Sequence, residues 1–439
     1  MRLAPEEFTY WFVRRAFGWS VVLQVVWTFD RPPSPESLTA VAAELARSPL
    51  SRGLVRSTVP FGRPRWVRSE SAGEAIIDDS TIIADLVEEW AADEMYTAPL
   101  DAERGQSWRL RGAPTDDGGF VLSLTALHLV TDGQAMVDAA AGALSGHGAD
   151  SVAGDRRVTA RSLLADGADG VRLVSEAISG VVRAVWATTR GRSTPPVPVR
   201  PDRSPIDVRS PTATGRWAIV SVDRGDWGAV ADHHGGTGNS LFVAVISGLL
   251  RSSGHSPPGQ PIKVGIPVSH RTAGDTGGNA TAGVSVYLTD DPDRGGDLGP
   301  IRRKCKAAFT ALSQGRRPAM IHLMPLMWLI PTSLIVKAVS SGGGMPDAVV
   351  SNLGVFAAEL TNIGGVQASG VAFRGIAQGV NAQLPYRFGD GVQSWLLEVG
   401  DQITFSVVAF DESAFPGRAD LHRLLGAELD AWGVPYRIW

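Results

Sequence analysis

Cysteine is almost absent from this chain of 439 residues, and lysine is scarce. The single cysteine, Cys305, excludes an intrachain disulfide and a zinc site built from cysteines. Lysine occurs only at positions 263, 304, 306 and 337, so arginine carries nearly all of the positive charge. The chain has 41 basic and 45 acidic residues, which gives a net charge of −4. This charge provides no electrostatic argument for a nucleic acid or an anionic membrane as partner.

Long apolar runs and targeting segments are also missing. The most apolar stretch, 322–339, is interrupted by Pro325, Pro331 and Lys337, whereas a membrane-spanning helix needs about 20 mostly apolar residues. Residues 1–15 carry acidic and aromatic side chains where a signal peptide would need an uninterrupted apolar core. We therefore expect a soluble, cytoplasmic protein with no stable membrane insertion.

Patterns typical of strands and helices alternate along the chain, which has an ordinary globular composition with 44% hydrophobic residues. Strands are predicted at 20–29, 120–128, 216–223, 262–268, 347–351, 394–399 and 402–410. Helices are predicted at 38–47, 132–144, 160–188, 239–250 and 418–431. The stretch 190–215 is rich in Pro, Ser, Thr and Arg, a composition that favours extended backbone. We predict an α/β (or α+β) chain with an N-terminal lobe (1–190), a linker (191–215) and a C-terminal lobe (216–439).

One of the eight histidines lies in a setting that the others lack. His128 ends the strong strand FVLSLTALH and begins the run H-x-x-x-D-G, in which Asp132 and Gly133 open the next helix. A corner between a strand and a helix presents side chains at the end of a sheet, and imidazole is the usual general base at neutral pH. Asp132 can cap backbone amides or pair with an arginine. The alternative is a histidine that only satisfies hydrogen bonds at a strand end.

The adjacent His233 and His234 invite a metal site, but neighbouring side chains seldom converge on one ion without further ligands. We expect a solvated turn there and predict no metal site in the chain.

Further motifs follow His128 in a recognisable order. They are the helix TGNSLFVAVISGLL, the strand end IPVSHR with Arg271, the pair Gly278-Asn279, and the segment VVSNLG with Ser351 and Asn352. Together with LHLVTDG, these motifs resemble the condensation-domain superfamily of acyltransferases, which includes chloramphenicol acetyltransferase and polyketide-associated acyltransferases. The matches span about residues 20–430.

The resemblance implies two chloramphenicol-acetyltransferase-like lobes in a V, with a central tunnel where an acyl thioester meets an acceptor at the catalytic His128. It implies structural roles at the active site for Asp132, Gly133 and Arg271, with an ion pair between the aspartate and the arginine. Four residues are expected to line the tunnel or bind substrate: Leu127, Thr131, Ser351 and Asn352. Leu127 departs from the superfamily pattern, in which a first histidine stands at this position.

The predicted function is therefore transfer of an acyl group from a CoA or carrier-protein thioester to a hydroxyl or amine, in natural-product or complex-lipid biosynthesis. The co-substrate is the thioester and no other cofactor is expected. The expected partners are a small-molecule acceptor and an acyl or peptidyl carrier protein. Two alternatives stay open. One is a nonribosomal-peptide-type condensation or cyclisation enzyme that acts on carrier-bound substrates. The other is a non-transferase protein whose tunnel binds a ligand or directs an intramolecular cyclisation.

Overall fold

The computed structural model describes residues 1–60, 62–69, 73–147, 159–189, 215–271, 277–289, 294–315, 323–331, 334, 346–380 and 391–439. Apart from Gly215, the predicted linker 191–215 lies outside these residues, so the proposed division into lobes stays a prediction. The predicted mixed α/β class is confirmed.

The strands of the described residues form two large sheets and two small ones. They are β1 (Ser20–Phe29), β2 (Arg52–Val55), β3 (Arg65–Arg68), β4 (Gly73–Ile77), β5 (Trp108–Pro114), β6 (Phe120–Leu127), β7 (Trp217–Asp223), β8 (Ile262–Ser269), β9 (Thr281–Leu288), β10 (Ala348–Phe356), β11 (Asn362–Ile363), β12 (Val366–Gln367), β13 (Gly370–Gln378), β14 (Val392–Val399), β15 (Gln402–Ala409) and β16 (Arg437–Ile438).

The helices of the described residues lie between several of these strands. They are α1 (Pro5–Phe17), α2 (Pro35–Arg47), α3 (Val87–Thr97), α4 (Gly133–Leu144), α5 (Ala160–Thr189), α6 (Arg224–His233), α7 (Gly238–Ser252), α8 (Gly299–Ser313), α9 (Met324–Met327) and α10 (Arg418–Trp432). Within the described part of the chain, no helix combines the length and apolarity needed to cross a bilayer.

The first large sheet has the strand order β13-β1-β6-β5-β4, and its side chains pack in two separate clusters with helices. Strand β1 is buried along almost all of its length, which explains its nearly continuous run of apolar residues. Leu23, Val25 and Trp27 pack with residues of α2 and α4, whereas Val22 lies in a cluster with residues of α1 and α3. This packing fixes the end of β6, from which the candidate site projects.

The second large sheet has the order β16-β7-β15-β14-β10-β8-β9. The apolar residues of α7 are buried against it, together with Leu421, Leu425 and Leu429 of α10. Its strands β8 and β9 pair antiparallel, and the loop between them carries Arg271 and Asn279 towards the first sheet.

Strand β13 belongs to the second half of the sequence but pairs antiparallel with β1 of the first half. Its buried Arg374 donates a hydrogen bond from Nε to the side-chain oxygen of Gln24 at 2.8 Å, and another to the backbone carbonyl of Glu88 at 3.0 Å. The guanidinium also lies 4.9 Å from the ring centre of Trp217. These contacts join the two halves of the chain.

Candidate active site

His128 lies directly after β6, and hydrogen bonds to both halves of the chain hold its backbone in place. Its N–H donates to the carbonyl of Val21 on β1 at 2.9 Å. Its own carbonyl accepts a hydrogen bond from the side-chain amide of Asn279, which follows β8, at 3.0 Å. The imidazole therefore projects from a fixed corner at the junction of the two sheets.

The imidazole of His128 is covered by Tyr10 of α1. The Tyr10 hydroxyl lies 2.9 Å from Nε2, and the two rings are stacked with their centres 4.0 Å apart. Within the described part of the chain, the other ring nitrogen, Nδ1, is buried without a hydrogen-bond partner. Nε2 is thus the nitrogen that faces a hydroxyl group.

Burial shifts the pKa of His128 below its ordinary value of 6.5. The buried surroundings disfavour the imidazolium form, and the negative charge of Asp132 and neighbouring polar groups oppose this effect only in part. The side chain is consequently neutral at pH 7 and available to accept a proton.

Asp132 is 3% exposed and is surrounded by donors. One oxygen accepts from the backbone N–H of Ala135 at 2.9 Å, which caps the start of α4. The other accepts from the Arg271 guanidinium at 3.0 Å, the N–H of Ala280 at 2.8 Å and the hydroxyl of Thr281 at 3.2 Å. The ion pair expected with Arg271 is present, and Asp132 links α4 to the second half of the chain.

Gly278 completes this link through its backbone. Its carbonyl accepts the Asp132 N–H at 2.7 Å. Beside it, the buried Arg52 donates to the carbonyl of Val130 and forms an ion pair with Glu7 of α1 at 3.0 Å. A Cβ atom at position 278 would lie 1.7 Å from the Arg52 guanidinium and 2.0 Å from the Val130 carbonyl oxygen. A residue without a side chain is therefore required there.

We expect Gly278→Ala to lower the free energy of unfolding by about 1–3 kcal/mol, the usual cost of overpacking. The backbone carbonyl of Val130 cannot shift without disturbing the turn of residues 128–132, which is held by hydrogen bonds to Gly278 and Asn279. Gly283→Ala on β9 is the matched control, since a Cβ there meets nothing within 4 Å. Urea denaturation measures both variants, and equal stability of the two would contradict the tight approach at Gly278.

Gly133, the first residue of α4, allows β10 and β13 to approach the helix. A Cβ at this position would lie 2.7 Å from a methyl carbon of Leu353 and 3.1 Å from the ring of Phe373. The glycine of the H-x-x-x-D-G run therefore has a packing role next to the site.

The four residues expected to line a tunnel lie at different places. Leu127 is buried beside Leu129, and Thr131 is buried with its hydroxyl donating to the carbonyl of Asp132 at 3.0 Å. Ser351 lies buried on β10, whereas the side chain of Asn352 accepts the N–H of Gly354 at 2.9 Å within a bulge of that strand. In the described ranges no hydrogen bond joins either β10 residue to His128. Their role in substrate binding stays a prediction.

A cavity of about 380 Å³ opens beside the corner. Tyr10, Leu127 and Leu129 form part of its wall, and His128 itself does not line it. Arg14, Arg15, Arg56, Asp101 and Glu103 provide charged groups to its lining. Tyr10 thus stands between this cavity and the imidazole.

Metal sites in proteins are built from clustered His, Cys, Asp or Glu side chains. In the described ranges, no three His, Cys, Asp or Glu side chains are grouped in a way that could bind an ion. His234, which follows His233, packs edge-on against Trp432 with ring centres 5.1 Å apart.

Tyr10 and Arg52 are site residues that the sequence interpretation missed. Arg52 is fully buried, which no local pattern reveals, because its partners Glu7 and Val130 are distant in sequence. Asn279 was recognised only as part of a motif, and its contact with the His128 carbonyl depends on the folded chain.

The chain is similar in structure to several solved proteins. A wax ester synthase/diacylglycerol acyltransferase from Marinobacter aquaeolei VT8 is 15% identical, with 98% of each chain covered and a TM-score of 0.59. The first condensation domain of the CDA synthetase is 14% identical, with 100% of this chain and 99% of that one covered and a TM-score of 0.57. Polyketide synthase associated protein 5 from Mycobacterium tuberculosis is 14% identical, with 98% of each chain covered and a TM-score of 0.55.

No protein-family model matches the chain, and no curated protein matches it in sequence. At these low identities the structural similarities define the fold. The resemblance inferred from the sequence motifs is confirmed for the fold: the chain has the fold that these condensation domains, the acyltransferase and the polyketide synthase associated protein share.

Proposed function

We propose that this protein is an acyltransferase that moves an acyl group from a thioester to a hydroxyl or amine, with His128 as general base. The observation that carries the proposal is the environment of Nε2. This nitrogen lies 2.9 Å from a hydroxyl group. The backbone of His128 is hydrogen-bonded to both halves of the chain, and a cavity lies beside it. An acceptor hydroxyl needs that distance to give its proton to a base.

In the proposed reaction, one proton moves first from the acceptor to His128 and then from His128 to the departing thiolate. Nε2 of neutral His128 takes the proton of the acceptor hydroxyl or amine as the acceptor attacks the thioester carbonyl. When the tetrahedral intermediate collapses, the carbon–sulfur bond breaks and the departing thiolate receives the proton from the imidazolium. The products are an ester or amide and a free thiol, and His128 returns to its neutral form.

The donor in this proposal is an acyl-CoA or an acyl group on the phosphopantetheine of a carrier protein. The chemistry requires no metal or redox cofactor, because every step transfers a proton or an acyl group. The structural similarity to condensation domains and to a polyketide-associated protein supports a carrier protein as partner and biosynthesis of natural products or complex lipids as the setting.

A condensation or cyclisation enzyme that accepts only carrier-bound substrates is the second candidate. Its support is the structural similarity to condensation domains, which equals the similarity to the wax ester synthase/diacylglycerol acyltransferase at a TM-score of 0.59. The two candidates share the base and differ in the donor.

Thiol release from acyl-CoA and acyl-carrier thioesters, each mixed with alcohols and amines, tests the proposal. We expect thiol release that depends on the acceptor, and an ester or amide product of matching mass. Release with carrier-bound donors alone would favour the condensation enzyme. If no pair of donor and acceptor gives product, the proposed function is wrong, and the cavity would have to serve ligand binding or an intramolecular reaction.

A further inference from the structure

The Tyr10 hydroxyl occupies the position that the proposed mechanism assigns to the acceptor. General-base catalysis requires the acceptor hydroxyl to approach Nε2 of His128 to within hydrogen-bond distance. In the structure Tyr10 makes that contact at 2.9 Å, and its ring covers the face of the imidazole. The chain therefore fills the acceptor position with a hydroxyl group of its own.

Helix α1 holds Tyr10 in this place. Glu7, one turn earlier, is buried and accepts hydrogen bonds from Arg52 at 3.0 Å and from the indole N–H of Trp66 at 2.9 Å. Phe8 and Phe12 of the same helix are buried as well. Because these contacts anchor the helix, the part that can move most easily is the Tyr10 side chain, and the cavity of about 380 Å³ that it lines gives it space.

Tyr10 is suited to fill this position without reacting. Burial and the charge of Asp132 raise the pKa of its phenol above the ordinary value of 10, so the group stays neutral at physiological pH. A neutral phenol is a weak nucleophile towards a thioester, but it can donate a hydrogen bond to the unprotonated Nε2 and keep other donors away.

We propose that Tyr10 is a specificity-determining residue that prevents water from acting as acceptor. The side chain keeps water from Nε2 while the donor thioester is bound, and an acceptor with a hydroxyl or amine gains access by displacing it. Water is the most abundant competing nucleophile, and its activation by His128 would hydrolyse the thioester to a carboxylic acid and a thiol. This inference rests on the proposed function and assigns to it the means of discrimination against hydrolysis.

Tyr10→Phe is the sharpest test, because it keeps the stacked ring and removes only the hydroxyl. We expect thiol release without acceptor to rise by a few-fold to tenfold, the range that corresponds to one net hydrogen bond. The KM for the acceptor should fall, since the acceptor no longer competes with the phenol. The double variant Tyr10→Phe/His128→Ala should lose the added hydrolysis. Thr9→Ala, which alters an exposed residue of the same helix, is the matched control.

A second readout does not depend on enzyme activity. Diethyl pyrocarbonate transfers an ethoxycarbonyl group to an unprotonated imidazole nitrogen, and peptide mass spectrometry locates the modified histidine. We expect Tyr10→Ala to accelerate modification of His128, whereas the exposed His147 should react at the same rate in both proteins. Thermal unfolding checks that the variant is folded.

Two results would overturn the inference. Unchanged modification of His128 in Tyr10→Ala would mean that Tyr10 does not cover Nε2. If Tyr10→Phe lowers acceptor-dependent transfer without raising hydrolysis, Tyr10 assists the reaction and does not exclude water. If the wild-type protein transfers no acyl group, the proposed function fails, and the modification rate still decides whether Tyr10 covers the imidazole.

Discussion

Replacement of His128 by alanine is expected to lower acceptor-dependent thiol release by about 10²–10⁴-fold, the usual contribution of a general base. We expect no other side chain to act as base in the variant. Among the described residues, the side chain in hydrogen-bond contact with Nε2 is the phenol of Tyr10, which is neutral and does not accept a proton readily. His128→Gln should be equally inactive, although glutamine can still accept the Tyr10 hydrogen bond. The exposed His233 provides the matched control, and His233→Ala should keep wild-type activity.

The pH dependence adds a signature that a merely structural histidine would not give. Burial lowers the pKa of His128 below 6.5, so the neutral, proton-accepting form persists into mildly acidic solution. With a hydroxyl acceptor, kcat/KM should stay level through neutral pH and fall only at a pH below the ordinary imidazole value of 6.5. An inflection above pH 6.5, or residual activity of His128→Ala near the wild-type level, would contradict the assignment of His128 as base.

The sequence predicted the elements around His128 because their signals are local. A run of apolar and β-branched residues marks β1, and the capping residue Asp132 with the helix-forming residues that follow marks α4. The order of motifs predicted the superfamily fold, and the expected partner of Asp132 is present as Arg271.

Helix α1 shows a local signal that the sequence interpretation did not use. Pro5 stands in its first turn with acidic residues beside it, two arginines occupy its last turn, and Gly18 ends it with a φ of 78°. These signs are sufficient to predict a helix. They do not predict that Tyr10 reaches His128, because the two residues are 118 positions apart and meet only through tertiary packing.

Strand β13 was missed for a related reason. Its sequence contains two glycines and Arg374, which weaken a strand pattern when they are considered locally. In the structure the arginine is buried because Gln24 and Glu88 provide hydrogen-bond acceptors from remote segments. Burial of a charge that is satisfied by distant partners is a property of the folded chain.

Asp132→Ala is expected to destabilise the protein by about 3–5 kcal/mol, the typical cost of removing one member of a buried ion pair. The change takes away the cap of α4 and leaves the N–H of Ala280 and the hydroxyl of Thr281 without their acceptor. Arg271 also loses its carboxylate partner, although one of its nitrogens still donates to the carbonyl of Gly277 at 2.6 Å.

Chemical denaturation of Asp132→Ala, Asp132→Asn and Asp232→Ala separates these contributions. Asp232 is an exposed residue of α6, so its replacement should change the stability by less than about 0.5 kcal/mol. Asn at position 132 keeps the size and one acceptor oxygen, but its NH₂ group must face a donor, so we expect an intermediate loss. Similar stabilities of Asp132→Ala and Asp232→Ala would show that the contacts of Asp132 with Arg271, Ala280 and Thr281 do not hold the two halves together.

The activity of Asp132→Asn, measured where it is folded, distinguishes its role from that of His128. Asp132 contacts the backbone N–H groups of Ala135 and Ala280 and two side chains of the second half of the chain, and has no described contact with the Nε2 nitrogen that accepts the proton in our proposal. Its loss should therefore shift the position of His128 without removing the base. We expect thiol release per folded molecule to fall less than in His128→Ala, and an equal or larger fall would mean that the carboxylate itself takes part in the transfer.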